Sequence, residues 1–307
     1  MSAPGSAPDS GRYGSAVTVG RALWAAARRL RDVEPGSARL ESELLLAHVL
    51  DVPRSELLAR SRAPLGTEAA AAFALLVTRR AGGEPVAYLI ERAPFLDFHV
   101  RVTPDVLIPR PESEVLAEWA VALAASRARP LTVLDVGTGS GALALALARA
   151  MPDAVVHATD VSPAALAVAS DNAARLGLTR AVRLHRADLL PPAPRLFDVV
   201  VANLPYVAEL ELSEVQPSVL RYEPAAALLA GPDGLDAIRR LLDRLPCRLA
   251  PDGAAGLEIG HRQGPAALRL ARAAFPEAAV RLLGDMAGRD RVVVIERAPA
   301  AGVGGLP

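Results

Sequence analysis

Lysine is absent from this chain of 307 residues: all 34 basic side chains are arginine. With the abundant alanine and proline, that bias reads as a GC-rich genome and not as a functional choice. Thirty-four acidic residues balance the arginines, so the net charge is zero. There is no broad basic excess of the kind that drives non-specific nucleic-acid binding, which argues against a DNA-modifying enzyme; no direct nucleic-acid contact is expected. Cys247 is the only cysteine, so no disulfide can form within the chain, and no Cys/His cluster has zinc-site spacing; no metal is expected. The first residues lack a charged-then-apolar signal pattern, and no apolar run reaches the roughly 18 residues of a membrane span, so a cytoplasmic protein with no membrane partner is expected. The five histidines are scattered, and His157, inside an apolar strand, reads as structural.

What is present is hydrophobic material enough for a large core, 51% of the residues, in one or two domains. Residues 17–80 have helical periodicity. Helices are predicted at Val19–Arg31, at Ala38–Leu50 behind a Ser37 cap with Leu40, Leu44 and Ala47 on one face, and at Glu68–Arg80 behind Thr67; a short turn spans Ser55–Arg60 and Gly82-Gly83 close the set. Phe95–Ile108 alternates like a β-hairpin, Phe98–Val102 before Thr103-Pro-Asp105 and Val106–Ile108 after it. From about residue 110 strands and helices alternate, which predicts a doubly wound, mostly parallel sheet with later strands at Ala254–Ile259, Val280–Leu283 and Arg291–Ile295. The organisation expected is a tail over 1–15, a helical domain over 16–83, a linker with a hairpin over 84–109, an α/β domain over 110–298 and a second tail over 299–307, both tails disordered.

The chemistry lies in two segments of the α/β part. Thr132–Val136 is a strand that runs into Gly137-Thr138-Gly139-Ser140-Gly141, whose glycines let the backbone approach a ligand before a helix at Ala142–Ala150. The next strand, Val155–Thr159, ends in Asp160, about 20 residues on, where a carboxylate can accept both hydroxyls of a ribose. Ser162-Pro163 caps the following helix and Gly177 closes it. A third strand, Val182–His185, ends at Ala187-Asp188, and Asp188 suits an adenine amino group. The glycines alone fit a dinucleotide equally well. Asp135 shifts the balance: two residues before the first glycine, a carboxylate can organise a methionine ammonium group but would repel a pyrophosphate. A nucleoside cofactor with an amino-acid tail, S-adenosyl-L-methionine, is the better match.

The second segment is Asn203-Leu204-Pro205-Tyr206, after the apolar strand Phe197–Ala202. An Asn carboxamide oxygen and a neighbouring main-chain carbonyl can accept the two hydrogens of a planar NH2 group and turn its lone pair toward an electrophile. Pro205 stiffens the turn and Tyr206 offers a flat face. Read alone, such a tetrapeptide is a turn; placed behind the glycine turn it points to methyl transfer onto an amide or aromatic amine.

These segments, together with Ala38–His48, Glu84–Tyr88, Val106-Leu-Ile-Pro-Arg-Pro-Glu-Ser-Glu114, Tyr222-Glu-Pro224, Gly231–Leu235, Leu257-Glu-Ile-Gly260 with Gln263-Gly264, and Gly288–Arg291, resemble the release-factor glutamine methyltransferases over roughly residues 18–296. The resemblance implies a Rossmann-like class I methyltransferase domain, a last strand pair forming an antiparallel hairpin at one edge, and an amino-terminal helical module that engages the partner. It further implies S-adenosyl-L-methionine bound by Asp135, Gly137, Thr138, Gly139, Ser140, Gly141, Asp160, Asp188, Leu189 and Asn203. The implied substrate is the glutamine of the Gly-Gly-Gln motif in peptide-chain release factors, held at Asn203, Leu204, Pro205 and Tyr206, with a ribosomal-protein glutamine or a nucleic-acid amine as the alternative target. Leu204 departs from the family's usual proline, Ser113 stands where threonine is common, and Leu189 stands where some relatives carry an aromatic residue. Glu112 and Glu114 read as carboxylates at a helix start.

Overall fold

In the first unit, residues up to Ile90, short apolar stripes on polar helices bury one face of each. The computed structural model describes residues 17–127, 130–192 and 195–298, so both expected tails lie outside the described residues. Helices α1 (Val19–Leu30), α2 (Ala38–Leu50), α3 (Arg54–Ala59), α4 (Thr67–Ala81) and α5 (Val86–Leu89) pack around Leu30, Leu45, Leu46, Leu57, Phe73 and Val77. Ser37 is not a side-chain cap: its hydroxyl donates to Glu41 at 3.0 Å. The cap of α4 is Gly66, with Thr67 inside the helix. The buried stripe of α2 runs through Ala38, Ser42, Leu45 and Leu46, and Leu40 faces outward. Arg80, buried, closes a bidentate pair with Glu41 at 2.7 and 3.0 Å, a geometry that holds a buried guanidinium well. The segment expected as a turn at Ser55–Arg60 is the helix α3.

The second unit runs from Glu91. Its hairpin is shorter and earlier than the alternation suggests: β1 (Ala93–Phe95) pairs antiparallel with β2 (Phe98–Val100), and residues 101–110 are extended or turn without strand pairing. Pro104, Pro109 and the Thr103–Asp105 turn explain the difference, because each proline removes a ladder donor. After α6 (Glu114–Ala125) comes the sheet: β3 (Thr132–Val136), β4 (Val155–Asp160), β5 (Val182–Arg186), β6 (Phe197–Ala202), β7 (Leu249–Glu258), β8 (Ala279–Gly284) and β9 (Asp290–Glu296).

Its order is β5-β4-β3-β6-β7-β9-β8, with β3 to β7 parallel and β9 antiparallel to both β7 and β8. The doubly wound fold and the edge hairpin are as expected. Strand β7 starts five residues earlier than its apolar run, at Leu249. Helices α7 (Ala142–Ala150), α8 (Pro163–Arg175), α10 (Asp236–Arg244) and α11 (Gly264–Ala274) follow strands, and a short α9 (Pro217–Tyr222) lies in the long β6–β7 connection. Every residue of β6 is buried, as a strand covered on both faces requires.

The chain runs outward from β3 to β5 in one direction and from β6 to β9 in the other. The order therefore reverses between β3 and β6, and a crevice opens at their carboxyl ends, where open α/β sheets bind ligands. Among the described residues no helix is long and apolar enough to cross a membrane.

Candidate active site

The turn after β3 is shaped by what surrounds it. A Cβ on Gly137, where φ is +75°, would lie 2.9 Å from Leu204 Cδ2, so the first glycine lets the turn and the Asn203–Tyr206 loop touch. The N–H groups of Gly137 and Thr138 donate to the Thr159 carbonyl at 2.9 and 2.8 Å, which ties the turn to β4. Asp160, at the end of β4, accepts from Gly139 N through Oδ2 and from Ser162 N through Oδ1, both at 2.9 Å. Each carboxylate oxygen keeps a further lone pair for a ligand. Ser162 also caps α8, accepting from Ala165 N with Pro163 in the first helical position.

A cavity of about 460 Å³ lies over this turn, and Gly137, Thr138, Gly139, Ser140, Asp160, Asp188, Leu189, Asn203, Leu204 and Pro205 all line it. Ten of the residues singled out from sequence thus share one wall system. Three others do not reach it. Asp135 is almost wholly buried beneath the turn, where its Oδ2 accepts from Thr138 Oγ1 at 2.7 Å and Ala144 N at 3.1 Å. It braces the glycine turn from below. Its Oδ1 has no hydrogen-bond partner among the described residues, and burial, helped by the charge of Asp160, raises its pKa to about 7. Gly141 faces Ala169 and Leu145 instead of the cavity.

Tyr206 is the third. Its ring is not presented to the cavity as a flat face; it is mostly buried, and burial first, then the charge of Glu258, pushes its hydroxyl up to about 12. What the loop uses is the Tyr206 carbonyl, which accepts from Gln263 Nε2 at 2.8 Å. The same Nε2 reaches the Asp233 carbonyl at 3.0 Å, and Gln263 Oε1 accepts from Gly260 N at 2.8 Å. A Cβ on Gly234 (φ +73°) would lie 2.2 Å from the Tyr206 carbonyl oxygen, so that position has no room for a side chain.

Asn203 donates from Nδ2 to Ser113 Oγ at 2.8 Å. That bond commits the donor end of the carboxamide and leaves Oδ1 to accept. Ser113 belongs to the Leu-Ile-Pro-Arg-Pro-Glu-Ser segment, which is itself anchored to the Tyr-Glu-Pro segment: Arg110 pairs with buried Glu223, and Ile108 N donates to the other Glu223 oxygen at 3.2 Å. Glu114 accepts from Leu96 N at 2.8 Å, which ties the hairpin turn to α6.

At the far end, Asp188 pairs with Arg240 and is half exposed, and Leu189 adopts φ +65° with its carbonyl held by Thr159 Oγ1 at 2.6 Å. A β-carbon-bearing residue in that region is strained, and such strain gathers at ligand sites. Among the described residues no group of acidic, histidine or cysteine side chains could hold a metal ion. Ser113, Glu223, Gln263 and Glu258 were not assigned roles from sequence; each lies inside a motif of the resemblance, which was their only signal.

The family follows from comparison with known proteins. Residues 21–90 match the PrmC N-terminal domain model, and residues 133–222 match a methyltransferase domain model. The release factor glutamine methyltransferase of Moorella thermoacetica is 44% identical over 282 residues, covering 92% of this chain and 99% of that protein. The enzyme of the same name from Cereibacter sphaeroides is 41% identical, covering 91% and 98%. The chain belongs to the release factor glutamine methyltransferase family. A solved protein-(glutamine-N5) methyltransferase, release factor-specific, from Alicyclobacillus acidocaldarius is 31% identical over 65% of this chain and 99% of its own, with a TM-score of 0.41. In this methyltransferase the family's first proline is Leu204, whose side chain is buried and packs against Gly137.

Proposed function

We propose that this chain transfers a methyl group from S-adenosyl-L-methionine to the side-chain amide nitrogen of the glutamine in the Gly-Gly-Gln motif of peptide-chain release factors. The observation that carries the reading is the Asn203–Ser113 bond at the switch-point crevice. It fixes an amide acceptor beside a ribose-binding carboxylate in one cavity. The residues fit the cofactor: Asp160 has two backbone-oriented oxygens for the ribose hydroxyls, the space beside Gly139 is open, and Asp188 and Leu189 line the end suited to the adenine. Asp135 acts on the cofactor by bracing the turn. Bound S-adenosyl-L-methionine supplies a methyl group on a sulfonium, which is a good leaving group.

A glutamine amide nitrogen is a poor nucleophile, because its lone pair is delocalised into the carbonyl. Asn203 Oδ1 and the Leu204 carbonyl accept its two hydrogens, enrich the lone pair and fix its direction, and these bonds strengthen as positive charge develops. Holding nitrogen in line with the methyl group supplies much of the acceleration. Pro205 limits the turn's freedom, and Tyr206 holds the loop in place through its carbonyl, which accepts from Gln263 Nε2.

The helical unit over 16–83 is the module that engages the release factor, the α/β unit carries catalysis, and the enzyme works in the cytoplasm with its protein substrate. Tandem mass spectrometry of a release factor incubated with enzyme and S-adenosyl-L-methionine tests the reading. One added methyl group on the Gly-Gly-Gln glutamine is expected; methylation elsewhere, or none, contradicts it.

A further inference from the structure

Glu258, the last residue of β7, is fully buried, and neither of its oxygens has a hydrogen-bond partner among the described residues. An orphaned carboxylate in a core is costly, and one retained there calls for a reason. Arg291 on β9 does not neutralise it by contact: its Nη2 reaches Asp285 at 3.2 Å and its Nε is itself without a partner among the described residues. Next to Glu258 lies the Ser113 hydroxyl, close enough to favour its charge without closing a bond of good geometry. Ser113 is buried too, and its oxygen is occupied as an acceptor by Asn203 Nδ2. Its own proton therefore needs an acceptor, and Glu258 is a carboxylate with both oxygens unused.

We infer that Glu258 is a positioning residue for the substrate amide: its carboxylate accepts a hydrogen bond from the Ser113 hydroxyl, which keeps Ser113 Oγ turned to receive Asn203 Nδ2 and Asn203 Oδ1 turned to the substrate. The inference rests on the methyl-transfer reading above. The ionised form does this best, since both of its oxygens accept and its charge strengthens the bond, whereas a protonated Glu258 accepts more weakly and can also donate to the oxygen that Asn203 uses. The groups facing Glu258 are Arg291 from β9, Arg110, Glu112 and Ser113 from the segment before α6, and Tyr206 from the amide loop. Burial raises its pKa to about 7 against the opposing pull of Ser113, Arg291 and Arg110, with Glu112 acting in the same direction as burial. Turnover should therefore rise with pH through the neutral range and level off above it.

The test is the pH profile of release-factor methylation at saturating cofactor for the parent enzyme, Glu258→Gln, Ser113→Ala and the double variant, with cofactor affinity and melting temperature measured alongside. Each single variant is expected to lose the rising limb near pH 7 and about tenfold in turnover, the scale of one hydrogen bond to a charged group. Cofactor affinity should hold, and the double variant should lose no more than either single one. Parent-like turnover and an intact limb in Glu258→Gln overturn the role, as do fully additive losses. If Glu258→Gln fails to fold, an intact limb in Ser113→Ala overturns it alone. A parent enzyme that transfers no methyl group to release factor at any pH overturns instead the reading beneath it.

Discussion

The two ends of the crevice are built in different ways. The proposed cofactor end is mostly local: Asp135, the Gly137–Gly141 turn, Asp160 and Asp188 sit at the ends of three adjacent parallel strands, the first three fixed by bonds within a few residues or to the next strand, whereas Asp188 pairs at long range with Arg240. The amide end is assembled from distant pieces. Asn203 leans on Ser113, Tyr206 on Gln263, and Ile108 and Arg110 on Glu223. Buried charge lies behind it at Glu258 and Arg291. A strand-and-turn end binds whatever fits its shape; a many-segment end can hold one reacting group in one direction. Changes at the amide end should therefore act on turnover, and changes at the cofactor end on affinity.

The largest effect is expected at Asn203. Asn203→Ala removes one of the two acceptors for the substrate NH2 and should lower turnover on the order of 10²–10³-fold, as losing one preorganised polar contact does, while cofactor affinity changes little. Stopped-flow or steady-state kinetics on a release factor would read this. Asp160→Ala comes next and should do the reverse. Loss of a charge-assisted acceptor is expected to weaken cofactor binding by about 1.5–3 kcal/mol, read by calorimetry, with a smaller change in turnover at saturation.

The turn, the strand ends and the Asn-Leu-Pro-Tyr loop were legible because each is contiguous and its chemistry follows from spacing. Ser113, Glu223, Glu258 and Gln263 were not, because their role depends on which segments the fold brings together, over separations of 90 residues for Ser113–Asn203 and 57 for Gln263–Tyr206. Asp135 and Tyr206 were read as ligand contacts from type and spacing. The structure buries Asp135 beneath the turn, held by Thr138 and Ala144 N, and leaves Tyr206 outside the cavity lining. The sheet was readable from its apolar runs. The hairpin was displaced because alternation continued into the proline-bearing segment that cannot pair.

The ends should also differ in acid. His157 on β4 stacks on His185 of β5, with ring centroids 5.0 Å apart and ring nitrogens at 2.8 Å, on the same strand that ends in Asp160. Burial first, then His185, Arg195 and Arg183, lowers the His157 pKa from 6.5 to about 4. The unfolded chain takes up the proton first, so stability is present above about 6.5 and is lost as pH falls toward 4, on the order of 2 kcal/mol for this residue. Thermal melts from pH 7 to 4 should fall, and His157→Gln should flatten that fall; an unchanged slope would clear the pair of the effect. Glu258 has the opposite sign: its raised pKa gives stability that is present below the ordinary carboxylate range and is lost as pH rises through about 7.

The smallest effect is expected from Leu204→Pro. It locks φ and keeps the carbonyl but trades away a buried contact with Gly137. These oppose one another, and turnover should stay within about fivefold of the parent, under 1 kcal/mol. A large loss would mean that the leucine side chain, and not only its carbonyl, shapes the amide end.

The division between the ends is tested most directly by measuring Asn203→Ala and Asp160→Ala in both assays, turnover on the same release factor at saturating cofactor and cofactor affinity by calorimetry. Opposite splits are expected: turnover collapses with affinity kept in the first, and affinity falls with turnover largely kept in the second. Near-parent turnover in Asn203→Ala, or the same split in both variants, would contradict an amide held at Asn203 apart from a cofactor held at Asp160.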